Sequence, residues 1–167
     1  LGQTSDKIHF LDTGHSDCII LESDGRFAMI DAAEDSDFPA NKPHLNLQGY
    51  EDKVVDYLLN NCRGRDGKVT LDFVVATHAH SDHIGGFDTV IMHPEISVKK
   101  AYLKEYNADR VFIMERMRWD NQEVYDQMVN AIKERNVEWI KEFDHSKETL
   151  GNFSVTFFNG SPRKRFM

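Results

Sequence analysis

Residues 76–86 read ATHAHSDHIGG, placing three histidines and an aspartate within six positions, His78 to His83. The stretch completes LDFVVAT (71–77), a nearly continuous apolar run of the kind shown by a strand covered on both faces. Alternate residues of extended backbone project the same way. A strand ending at Thr77 therefore delivers His78, His80 and Asp82 to one place, with His83 turned aside by the following loop. On a helix, His78 and His80 would point to nearly opposite sides. Gly85 and Gly86 then allow a sharp turn without side-chain clashes. Converging imidazole and carboxylate donors on a rigid sheet end are what a metal site needs. With 8 histidines in 167 residues, the pattern H-x-H-x-D-H is expected by chance in roughly two such chains per thousand.

Upstream, KIHFLD (7–12), CIILES (18–23) and RFAMID (26–31) read as three short strands, the last two joined by a tight turn at Asp24-Gly25. A long loop is expected over 32–49, and its charge run DAAEDSD reads as solvated, or as a rim to the site. EDKVVDYLLNNC carries Val54, Val55, Leu58, Leu59 and Cys62 on one helical stripe. Downstream, FDTVIMH reads as a short helix and SVKKAYL (97–103) as a strand. A longer helix begins near Asp120, with capping-box spacing to Glu123. VEWIKE and NFSVTFF read as closing strands, the second entered through Gly151-Asn152. A strand meander followed by strand–helix alternation predicts an α/β domain, a sheet covered by helices.

Composition narrows the function. The chain is 40% hydrophobic and 29% charged, which is globular and long enough for one real core. A formal net charge of −8 argues against a general grip on nucleic acid. No apolar run reaches the length of about 18 residues that spans a bilayer, and LGQTSDK lacks the features of a signal peptide. Cys18 and Cys62 have no CxxC spacing and read as small buried apolar residues.

THAHSDHIGG after an apolar strand resembles the signature of the metallo-β-lactamase superfamily, whose members are mostly zinc-dependent hydrolases. That resemblance implies an αββα sandwich with the site at the edge of two facing sheets. His78 and His80 would belong to a first zinc position, Asp82 and His83 to a second. Asp82 would also orient the attacking hydroxide, and Asp31 would support the ligand loop from behind. The sequence departs from the family's usual pattern at IDAAED, where a small residue and glycine more often follow the aspartate.

A narrower resemblance runs through KIHFLDTGHSDCIILESDGRFAMIDAAEDSDFP, the ligand loop, VKKAYLKEY and RWDNQEVYDQMV. These segments are similar to the catalytic domain of bacterial surface phosphorylcholine esterases, and more distantly to the hydrolase domain of DNA-uptake channel proteins. The first likeness implies two zinc ions, a metal-bound hydroxide and a cell-wall phosphodiester substrate, on a secreted or cell-surface protein. Trp119 is the first candidate to face a quaternary ammonium group, with Tyr102, Tyr106 and Tyr125 behind it, although aromatics beside strands and helices are usually core. His15 lies in a turn, where a lone histidine is more often just exposed, though it could approach the metals; His9, His44, His93 and His145 have no ligand spacing. Two other readings stay open: a hydrolase of the same fold acting on another ester, thioester or amide, and a binding module without turnover.

The superfamily's two-metal site also draws a bridging aspartate and a further histidine from the second half of its sandwich. Neither His93 nor His145 has the right setting. Residues 1–167 are therefore expected to be the N-terminal part of a longer domain, with an open site, weak zinc binding, little turnover, and an exposed apolar sheet face open to self-association.

Overall fold

A computed structural model describes residues 6–36 and 47–158; the expected loop over 32–49 and His44 fall wholly or partly outside them. Three strands open the fold: β1 (Lys7–Phe10), β2 (Ile19–Ser23) and β3 (Arg26–Ile30). They form an antiparallel meander, with Asp24 and Gly25 at φ 51° and 72° in the turn between β2 and β3. After helix α1 (Glu51–Asn61), strand β4 (Val69–Val75) returns parallel to β3. The ligand loop holds a single helical turn, α2 (Ser81–Ile84), followed by α3 (Phe87–Met92).

The expected strand over 97–103 is two short ones, β5 (Ile96–Val98) and β6 (Lys100–Tyr102), both parallel to β4. A 3₁₀ turn (Ala108–Arg110) and helix α4 (Ile113–Arg118), neither expected, precede α5 (Asn121–Glu134) and β7 (Glu138–Ile140). Asp120 sits at the N-cap of α5, but its side chain makes no capping bond, so the expected capping box is not formed. Strands β8 (Lys147–Leu150) and β9 (Phe153–Thr156) close the described chain as a separate hairpin. Gly151-Asn152 is the turn of that hairpin. The sequence reading missed β8, whose alternation of charge and threonine buries only Leu150.

Among the described residues, seven strands make one mixed sheet, in the order β1-β2-β3-β4-β6-β7 with β5 also on β4. One face packs Ile20, Met29, Leu71 and Val74 against α1, α3 and α5, through Leu58, Phe87 and Met128. The opposite face sets Ala28, Phe73, Val75 and Tyr102 under Leu150 and Phe157. The register between β3 and β4 shifts between Phe27 and Met29, so the alternation along β4 changes phase. Leu71 and Val74 face the helices, while Phe73 and Val75 face the hairpin.

The result is a mixed α/β fold in three successive layers, helices, sheet and hairpin. The hairpin corrects the expectation of a bare sheet face: it covers the centre, leaving Ile8 and Phe10 of β1 as the exposed apolar residues of that edge. Cys18 and Cys62 are both buried in the helix-side core, where burial pushes each thiol well above its ordinary range.

Polar contacts fasten the layers. Glu148 of β8 accepts from Lys100 at 2.8 Å and from the Tyr102 hydroxyl of β6. On the same face Asp72 of β4 accepts from Arg26 at 2.6 Å and Lys99 at 2.9 Å. Burial tends to raise the Asp72 pKa, but the bonds from Arg26 and Lys99 outweigh it and hold the carboxyl below its usual range. A carboxyl with a lower pKa in the native state stabilises fully above its unfolded value of about 3.9 and loses that contribution as pH falls through the native value. Melting temperature followed against pH should therefore drop from about pH 4 downward, and Asp72→Asn should flatten that part of the curve. Leu150→Ala should cost about 2–5 kcal/mol in denaturant unfolding, because its side chain is fully buried between the layers.

Candidate metal centre

The chain leaves β3 and β4 at the same sheet edge. The Asp31 amide donates to the Val75 carbonyl at 2.9 Å, and the Ala76 amide to that of Tyr102 at 2.9 Å. Asp31 and Ala33 then adopt left-handed φ values of 57° and 64°, so IDAAED makes its turn without the glycine more usual in the resembled family. Backbone bonds sew three loops together here: Ala32 to His83 at 2.8 Å, Ala33 to Asp17 at 2.9 Å, and Asp17 to Asp82 at 3.2 Å. Gly85 and Gly86 have ordinary negative φ values of −55° and −85°, which corrects the expected reason for them. A Cβ at either would lie 2.3 Å from backbone, of Asp35 or Ala32 respectively. Close approach, not turn geometry, requires glycine there.

Strand β4 stops at Val75, short of the expected Thr77, and the backbone bends over residues 77–79 before His80 returns to an extended φ of −104° and ψ of 147°. Asp82 and His83 lie on the helical turn α2, so the strand alternation expected of His78, His80 and Asp82 is not formed. Nor is His83 turned aside. Its ring centroid is 3.9 Å from that of His78, and His78 is 4.6 Å from His80.

Asp31 holds this arrangement. Its carboxylate, 3% exposed, accepts from the Thr77 amide at 2.8 Å and the Thr77 hydroxyl at 2.7 Å. The same carboxylate lies 2.7 Å from His83 Nδ1. Having given its one proton to Asp31, the Thr77 hydroxyl can only accept from His78 Nδ1, 3.1 Å away. Both His78 and His83 therefore carry hydrogen on Nδ1 and, when neutral, offer the Nε2 lone pair. Burial, reinforced by the neighbouring His83 and His80, pushes the His78 pKa down. The hydrogen bond to Asp31 raises that of His83 against the effect of burial.

A cavity of about 230 Å³ opens beside His80 and Asp82, lined also by His15, Glu34 and Trp119. Trp119 is half-buried, with the Arg118 guanidinium 4.9 Å from its ring centroid. Tyr102, Tyr106 and Tyr125 do not line this cavity. Tyr102 is stacked on Phe157 at 4.5 Å between the sheets, and Tyr106 pairs with Tyr125 at 5.8 Å. Glu34 corrects the solvated reading of DAAEDSD: residues 31–35 are buried. The Glu34 carboxylate accepts from the Ser81 hydroxyl at 3.2 Å and lies 3.5 Å from His15 Nε2. Burial raises its pKa, with the hydrogen bonds from Ser81 and His15 acting against the shift. The two alanines before it are the one sequence signal that this run turns inward. Glu115 of α4, 3.4 Å from His80 Nε2, has no such signal.

Three imidazoles and a carboxylate suit zinc by donor type. Among the described residues, however, no three histidine, cysteine, aspartate or glutamate side chains are grouped so as to hold an ion as they stand. The donors face one another instead: His80 Nε2 faces Glu115, and His83 Nε2 lies 3.7 Å from Asp82.

No family model matches the chain, and no curated protein matches it. Among solved structures it is similar to the flavodiiron protein from Giardia intestinalis, with a TM-score of 0.48 and 10% identity. The match covers 93% of this chain and 34% of that one, so the chain spans about a third of that protein's length. A likeness at that score decides neither fold nor chemistry, which rest here on the sheet topology and the side chains themselves.

The Asp31 network has a direct spectroscopic consequence. In NMR titration of the metal-free protein, His78 should titrate below the ordinary imidazole value of about 6.5 and His83 above it. Asp31→Asn should bring His83 down while leaving the fold intact. An unchanged His83 titration in that variant would show that the contact with Asp31 does not set its protonation.

Proposed function

We propose that this chain carries the metal-binding loop of a zinc-dependent hydrolase of the metallo-β-lactamase type, one that cleaves phosphodiesters of phosphorylcholine. The observation behind the reading is the hold of Asp31 on Thr77 and His83, which leaves the Nε2 atoms of two adjacent imidazoles as donors. His78 and His80 would hold one cation, and Asp82 and His83 a second. Bound there, zinc would supply Lewis acidity toward a phosphoryl oxygen and lower the pKa of a water.

The chain's own residues do the positioning. Asp31 fixes the tautomer of His83 and, through Thr77, that of His78. Asp82, on the cavity wall, orients the nucleophile. Support for a choline-bearing substrate comes from the same cavity, where the Trp119 ring stands with the Glu34 and Asp82 carboxylates. Arg118 covers one face of that ring, so a quaternary ammonium group would take the other. A second reading, a binding module without turnover, draws on the His80–Glu115 contact, which occupies a nitrogen that zinc would need.

Metal content after dialysis, measured beside hydrolysis of a chromogenic phosphorylcholine ester, separates the two. Asp31→Asn should weaken zinc binding by about 10- to 100-fold, and His80→Ala should abolish zinc-dependent hydrolysis without lowering the melting temperature. Zinc affinity should decline on acidification, because protons compete for the raised-pKa His83. Trp119→Ala should raise KM for the choline ester more than for a choline-free phosphodiester. Zinc uptake without hydrolysis, or no zinc uptake at all, would remove the hydrolase reading and favour the binding module.

A further inference from the structure

Half of the large apolar side chains exposed among the described residues belong to one short segment. Phe112, Ile113, Met114 and Met117 are 69%, 51%, 63% and 66% exposed, in and just before α4. Arginines interleave them. Residues 110–118, RVFIMERMR, hold three arginines against one glutamate in a chain of net charge −8. All three arginines are exposed. Arg116 is paired with Asp109 at 2.7 Å, and Arg118 lies over Trp119. The glutamate, Glu115, is directed to His80. The outward side of α4 is therefore apolar and basic, and it borders the cavity through Trp119.

The geometry points to residues 110–118 as a membrane-docking surface that seats the cavity mouth against an anionic bilayer. Size favours a bilayer over a protein partner. A six-residue helix is only about 9 Å long, whereas a standard protein interface buries about 800 Å² per partner. The same helix suffices to enter an interface where apolar side chains insert by about 5–10 Å. Charge complementarity supplies the preference for anionic lipid, since arginines beside inserted phenylalanine and methionine meet lipid phosphates. The chain as a whole is acidic, with a net charge of −8, so repulsion from the same bilayer favours presentation of this face among the described residues. Docking here does not depend on what the histidines bind.

Flotation of the full chain with lipid vesicles tests the proposal without reference to zinc or turnover. Binding is expected to vesicles of phosphatidylcholine and phosphatidylglycerol in equal parts, to weaken with salt, and to be much weaker with phosphatidylcholine alone. The triple variant Phe112→Ser, Met114→Ser, Met117→Ser should lose about tenfold or more in partitioning. The double variant Arg110→Gln, Arg116→Gln should lose the preference for phosphatidylglycerol. All these side chains are exposed, and an unchanged melting temperature will confirm that folding is intact. As a control, Ile8→Ser with Phe10→Ser removes the exposed pair on β1 and should leave binding unchanged. The proposal is overturned by vesicle binding that survives the triple variant or is lost equally in the β1 variant. It is also overturned if light scattering shows the triple substitution dissolving a dimer while vesicles bind neither form.

Discussion

The Asp31 carboxylate is the constraint on which the rest of the site depends. One buried side chain bonds the amide and hydroxyl of Thr77 and the ring of His83. A buried carboxylate without such partners would be costly; with them it becomes a fixed acceptor that aligns everything bonded to it. Through Thr77 its influence reaches His78, which it never touches. Two imidazoles thus receive their tautomers from a single oxygen pair. The left-handed backbone at Asp31 follows from the same need, because the side chain must turn back toward the end of β4.

Around that carboxylate, the three loops are held by backbone bonds together with the burial of Ala32, Ala33 and Ile84 in the helix-side core. Ala32, Ala33 and Asp17 contribute amides, and small side chains let those amides approach. Gly85 and Gly86 serve the same closeness from the other side. The site is consequently rigid where the sheet supports it, and it depends on α4 at its open side. There Glu115, 3.4 Å from His80 Nε2, joins the centre to the apolar and basic surface of α4.

Much of this was legible in the sequence wherever periodicity or composition carried it. The meander, α1 and β4 follow from local pattern, and the cluster His78–His83 is visible as spacing alone. Asp31 was readable from its place at a strand end. What escaped depends on long-range contacts. The bends over residues 77–79 and the helical turn at Ser81 replace the expected extended backbone, and nothing in THAHSDHI signals them. Glu34 sits in an acidic run whose local character is solvated, yet Ser81 and His15 satisfy it in the interior. The strand β8 was missed because its partner layer buries one residue of four. Glu115 meets His80 across 35 positions of chain, a relation that no local pattern encodes.

The parallel pairing of β3 with β4 also sets an order of events in folding. The β1–β3 meander closes through short turns and involves only neighbours in sequence, which is the fast kind of contact. Thr77 lies 46 residues from Asp31, and parallel pairing across such a gap carries a loop-closure cost before it yields any return. Asp31 ends that ribbon, and its amide and carboxylate find their partners, Val75, Thr77 and His83, only from β4 onward. The histidines gain their orientation only when β4 docks and Thr77 reaches the waiting carboxylate. Until then they are ordinary imidazoles on an unfixed chain, so their orientation is a property of the paired strands and not of the ligand loop alone.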